Sequence, residues 1–125
     1  MEIEKVGLIA DVRTVYAGAE FRGRGRFGCA DMEFLADLQK HLPEDVYLKG
    51  CISCCHGNIC PCGAADLEIF CTKGSLVRHK GDLSDLMEDW EVWLQRERTF
   101  FHRCEDWKLV TAEDYTYHSY GDYLL

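Results

Sequence analysis

No stretch of this chain approaches the roughly 18 consecutive apolar residues that a membrane-crossing helix needs. The first residues, Met1-Glu2-Ile3-Glu4-Lys5, have neither the basic n-region nor the apolar h-region of a secretory leader. Membrane-spanning and secreted readings therefore lose their usual signals, and a cytoplasmic address with reduced thiols is the expectation. Positive charge is scarce as well. Fourteen Lys and Arg stand against twenty-two Asp and Glu, a formal net charge of −8. Such a chain repels polyanions as a whole, which argues against nucleic acid or an anionic membrane as its partner. Hydrolytic motifs are missing too. No G-x-S-x-G, H-E-x-x-H or phosphate-binding loop occurs, and His41, His56, His79, His102 and His118 are scattered. Carboxylates are plentiful, yet nothing singles out a pair for acid–base work. No internal repeat, low-complexity tract or linker divides the 125 residues, so residues 1–125 read as one domain.

What the chain does have is cysteine. Five of its eight cysteines fall within thirteen residues, Cys51-Ile52-Ser53-Cys54-Cys55-His56-Gly57-Asn58-Ile59-Cys60-Pro61-Cys62-Gly63. With 47% hydrophobic residues the chain has the material for a core, so a covalent or metal staple is not obligatory. In a reducing compartment such cysteines point to metal ligands or buried thiols before disulfides.

Hydrophobic periodicity organises the rest. Residues Val6 to Tyr16 read as a first strand, with Leu8, Ala10 and Val12 on one side and Asp11 and Arg13 on the other. After a turn at Ala17–Glu20, Phe21-Arg22-Gly23-Arg24-Gly25-Arg26-Phe27 alternates strictly and predicts the return strand of a hairpin. Its arginines form the one basic stripe. They read as a solvated face paired with carboxylates more readily than as a phosphate surface, since the net charge opposes the latter. Asp31 is placed to cap a helix running to Leu42 before Pro43. Val46 to Ile52 resumes extended character, Leu67 to Thr72 reads as a strand, and Ser84 is placed to cap a long helix over Asp85–Arg98. Leu86, Trp90, Trp93 and Leu94 share a face of that helix, which reads as core. Thr99 to Cys104 reads as a last strand, and the tyrosine-rich tail (Tyr115, Tyr117, Tyr120, Tyr123) as a sheet edge or partner surface. The fold class expected is α+β: a small antiparallel sheet with two helices and a Cys-rich loop.

Zinc asks for four thiolate or imidazole donors in a tetrahedron, with sulfur at about 2.3 Å. Cys51-x2-Cys54 supplies half of such a site, because a tight turn aims both sulfurs at one ion. Antiparallel pairing of 46–54 with 68–75 would set Cys51 opposite Cys71, and Cys104 would return after the long helix. The first-choice ligand set is therefore Cys51, Cys54, Cys71 and Cys104. Local alternatives replace Cys71 and Cys104 with Cys60 and Cys62, or with Cys60 and His56. Iron–sulfur ligation ranks below zinc because neither common ferredoxin spacing is present, and reduced thiols that merely pack are the bland alternative.

The stretch from Tyr47-Leu48-Lys49-Gly50-Cys51-Ile52-Ser53-Cys54, through Pro61 and Gly63, to Phe70-Cys71 resembles an uncharacterised family of small bacterial cytosolic Cys-rich proteins. That family pairs a CxxC with a Pro-x-Gly turn, a later aromatic-Cys and a tyrosine-rich C-terminus, here echoed by Tyr115-Thr116-Tyr117-His118-Ser119-Tyr120. The resemblance implies no activity; it supports Cys51, Cys54 and Cys71 as a unit. The function expected is a small cytoplasmic protein with a structural zinc site, acting as a non-enzymatic protein-binding or regulatory module. The alternative is a thiol-based redox protein using the Cys51-x2-Cys54 pair.

Overall fold

Glycine and paired turns set the first half of the molecule. Among residues 1–28, 31–59 and 68–124, which the computed structural model describes, two antiparallel sheets and four α-helices form, an α+β fold as expected. The first sheet takes its strands in sequence order: β1 (Glu2–Val6), β2 (Ile9–Tyr16), β3 (Ala19–Gly28) and β4 (Asp31–Met32). Where one strand over Val6–Tyr16 is expected, the chain turns at Gly7-Leu8. Gly7 adopts φ 62°, a left-handed conformation open to glycine, and Val6 pairs with Ile9 across the turn. Ala10 and Val12 are buried as expected, while Leu8 sits exposed at the turn. The β2–β3 hairpin closes through Ala17-Gly18, both with positive φ, and Tyr16 pairs with Ala19.

The glycines of β3 make room for a helix. α1 (Glu33–His41) crosses the strand so closely that a Cβ on Gly23 would stand 2.5 Å from the Leu38 nitrogen, and one on Gly25 would stand 2.9 Å from Glu33. Phe34, Leu35 and Leu38 are buried in that contact. Asp31 does not cap the helix. It lies in β4 opposite Gly28 and pairs its carboxylate with Arg26 at 3.4 Å, leaving Met32 as an N-cap without a side-chain bond. On the other face of the sheet the arginines are paired: Arg13 with Glu2 and Glu20, Arg22 with Glu20 at 3.1 Å, and Arg24 with Asp11 at 3.8 Å. The basic stripe is a solvated, charge-balanced surface.

The second sheet consists of β5 (Gly57–Asn58), β6 (Glu68–Cys71) and β7 (Glu97–Thr99) in that order. The expected strand Leu67–Thr72 is thus present over 68–71, and Leu67 lies outside the described residues. The final strand covers 97–99, earlier than the expected Thr99–Cys104. The single long helix is replaced by two, α2 (Lys80–Leu86) and α3 (Trp90–Arg96). Ser84 lies inside α2. The cap belongs to Asp89, whose carboxylate accepts the Glu91 N–H at 2.9 Å and starts α3 afresh. The expected core face dissolves with that break: Leu83 and Met87 are buried, Trp93 is half-buried edge-on to Phe70, and Trp90 is 66% exposed. The end of the tail is helical, not extended. α4 (Ser119–Leu124) buries Tyr120, whose hydroxyl donates to Gln39 at 2.7 Å. Val12, Phe27, Leu38, Ile52, Ile69, Phe100 and Tyr120 belong to one continuous core that joins both sheets. No helix of the described residues is long and apolar enough to cross a membrane.

Candidate functional site

The CxxC folds as a tight turn rather than as the end of a strand. Ser53 donates its hydroxyl to the Leu48 and Gly50 carbonyls, and the indole N–H of Trp107 donates to the Gly50 carbonyl at 2.9 Å. These side-chain bonds compete with strand pairing and bend Val46–Ile52 away from extended structure. Cys51–Ser53 form one 3-10 turn, with the Cys54 N–H donating to the Cys51 carbonyl at 3.2 Å. Gly50 lets this turn press on the distant segment after β7, since a Cβ there would stand 2.6 Å from Phe101 Cα. The register expected for Cys51 and Cys71 is consequently not formed. Gly57 lies opposite Cys71, and its lack of a side chain admits the Cys51 carbonyl oxygen into the place a Cβ would fill.

Three segments then converge. Residues 51–55 are bound to the segment after Cys104 by Cys55 N–H to the Lys108 carbonyl at 2.8 Å and Val110 N–H to the Ser53 carbonyl at 3.0 Å. β6 is bound to the same loop by Thr72 N–H to the His56 carbonyl at 2.8 Å. The result is a small cavity of about 20 Å³ lined by Cys51, Cys54, Cys71 and Cys104, with Gly57 behind. That is room for one ion or water molecule and far too little for an organic substrate. His56 lines the same cavity, so one of the alternative donors is also within the site, while Cys60 and Cys62 lie outside the described residues. Lys73 and Asp106, an ion pair at the rim, complete the lining; their sequence neighbourhoods carry no ligand motif, and only their places beside Cys71 and Cys104 single them out.

Cys51 and Cys54 are buried, Cys71 is half-buried and Cys104 exposed, and all four are free thiols. Burial first, then like-charge repulsion from Cys54 and Cys71, pushes the Cys51 thiol up to about 11, against a lowering by Arg98. Cys55 is likewise pushed up to about 11, first by burial and then by Cys54. A divalent cation reverses this balance, because thiolates that repel one another become its ligands. The Asp106 N–H donates to Cys104 Sγ at 3.4 Å. Among the described residues no three donors stand in an ion-holding arrangement as they are placed. Cys51 Sγ, for instance, points to the His102 carbonyl at 3.9 Å.

Behind the site stands a histidine that the sequence presents only as one of five. His118 is buried between Gly57 and α4: Nε2 donates to the Gly57 carbonyl at 3.2 Å, and Nδ1 accepts the Gly121 N–H at 2.9 Å. Both bonds are satisfied by the neutral ring, and burial holds its pKa down to about 4. No protein-family model, no curated protein and no solved structure matches this chain.

Proposed function

We propose that this is a small cytoplasmic, non-enzymatic protein-binding or regulatory module whose second sheet is pinned by a structural zinc ion held by Cys51, Cys54, Cys71 and Cys104. One observation carries the reading: four cysteines from three separate segments line one ion-sized cavity. Four thiolates suit zinc, and a closed protein ligand set without an open position is the mark of a structural rather than a catalytic site. The redox alternative through Cys51-x2-Cys54 needs a thiol of lowered pKa, whereas burial and neighbouring thiols push Cys51 up to about 11.

Metal analysis of protein purified without added metal, with thiol titration before and after chelation, tests this. About one zinc per chain, with the four cavity thiols unreactive until chelation, is the expected result. Serine at Cys51, Cys54, Cys71 or Cys104 abolishes zinc retention, and Cys55→Ser retains it. Metal-free protein in which all eight thiols react at once sinks the proposal.

A further inference from the structure

The helical pair α2–α3 leaves an apolar face in solvent. Trp90 and Leu94, one helical turn apart, are 66% and 54% exposed. Trp90 is nevertheless not loose: its ring lies 5.9 Å from that of Trp93, which packs edge-on against buried Phe70 at 5.0 Å. A large aromatic held in place and left uncovered is the kind of residue that anchors interfaces. Between Lys80 and Arg96, at the outer ends of the two helices, the charge has one sign. From Gly81 to Gln95 the chain carries five acidic residues and no Lys or Arg. Asp82 and Asp89 are engaged by backbone N–H groups, but Asp85, Glu88 and Glu91 are exposed and have no ion-pair partner among the described residues. On the first sheet, by contrast, Arg13, Arg22, Arg24 and Arg26 each hold a carboxylate.

We propose that the Trp90–Leu94 face of α3, with Glu88, Glu91 and Asp85 beside it, is a docking surface for a basic amphipathic segment of another protein. An apolar side chain of that segment seats against Trp90 and Leu94, and its Lys or Arg residues meet the free carboxylates and the indole face. A second copy of this chain is a poor occupant, because its sheet arginines are already neutralised by their own carboxylates. Polyanions are repelled outright. The surface is tied to the cysteine site by Arg96, which donates from the end of α3 to the Cys71 carbonyl at 3.0 Å and the Lys73 carbonyl at 3.1 Å. The inference names the partner of the protein-binding module proposed above and rests on that reading.

The test uses the full chain, zinc content measured in each preparation, and a fluorescent synthetic peptide with leucines and lysines at helical spacing; a glutamate-for-lysine version is the control. Fluorescence anisotropy is expected to show binding of the basic peptide alone, weakened about tenfold or more by Trp90→Ala and by the double change Glu88→Lys, Glu91→Lys. Binding should fall as salt rises from about 50 to 300 mM. Trp90 lies outside the core, so Trp90→Ala should leave the urea midpoint and zinc content unchanged, which separates lost docking from lost folding. No binding up to about 1 mM peptide, equal binding of the acidic control, or undiminished binding by both variants overturns the inference. So does self-association of the free protein that Trp90→Ala abolishes, because the face then serves a second copy. Failure here with one zinc retained leaves the metal site standing; binding without zinc leaves the surface and removes the metal.

Discussion

At the scale of single residues, Gly57 and His118 determine how the cysteine site is held. A Cβ at Gly57 would occupy the same space as the Cys51 carbonyl oxygen, and the obstacle is backbone, which cannot swing aside. Gly57→Ala is expected to cost about 3 kcal/mol or more, read as a lowered urea midpoint, with zinc retention impaired in the same protein. A midpoint within error of the parent would mean that the 51–57 turn relaxes freely. His118 makes stability depend on pH. Its folded pKa, near 4, lies below the ordinary 6.5, so the unfolded chain binds the proton more readily. The contribution is therefore fully present above about pH 6.5 and is lost as pH falls towards 4, on the order of 3 kcal/mol in all. Urea midpoints from pH 4.5 to 7 should rise, and His118→Gln, which keeps polar groups but cannot titrate, should flatten that rise. An unchanged slope in the variant would assign the pH dependence to carboxylates instead.

At the scale of elements, the break between α2 and α3 leaves a short helix whose two tryptophans differ, Trp90 exposed and Trp93 half-buried against β6. Trp93 packs on Phe70 of β6, and Arg96 reaches the Cys71 and Lys73 carbonyls. Trp93→Ala is expected to destabilise by about 2 kcal/mol, whereas Trp90→Ala should stay within about 0.5 kcal/mol; equal losses in thermal unfolding would place both rings in the core. The β2–β3 hairpin and α1 behave as a unit for a different reason. Gly23 and Gly25 do not weaken the strand so much as admit the helix, so a side chain at either position meets backbone atoms of α1.

For the whole molecule, one core joins the sheets, but the second sheet is short and its helices bury little: α3 has no buried residue. The part that carries the cysteines is thus the part that a metal would stabilise most. Chelation of the zinc-loaded protein should lower Tm by about 10 °C or more, with hydrogen exchange accelerating first in β5, β6 and α3 and least in β2 and β3. Uniform acceleration, or none, would deny the metal a role in pinning the second sheet.

Strict alternation along Phe21–Phe27 was enough to read the β3 strand and its two faces, and Pro43 marked the end of α1, because both signals act within a few residues. The Cys51-x2-Cys54 spacing likewise announced a tight turn. Other local signals were outcompeted by contacts from afar. Asp31 serves Arg26 instead of a helix N-terminus, and Ser53 and Trp107 bend a segment whose composition suits a strand. Asp89, which restarts the helix, was available to a closer reading of capping residues. That the chain would be acidic, α+β and rich in thiols was therefore determined by sequence alone. That Cys51 and Cys54 share a cavity with Cys71 and Cys104, and that Trp90 faces water, was decided by tertiary structure. The reason is physical: those placements depend on packing between distant parts of the chain, as where the Gly50 backbone meets Phe101 some fifty residues on, which no local periodicity encodes.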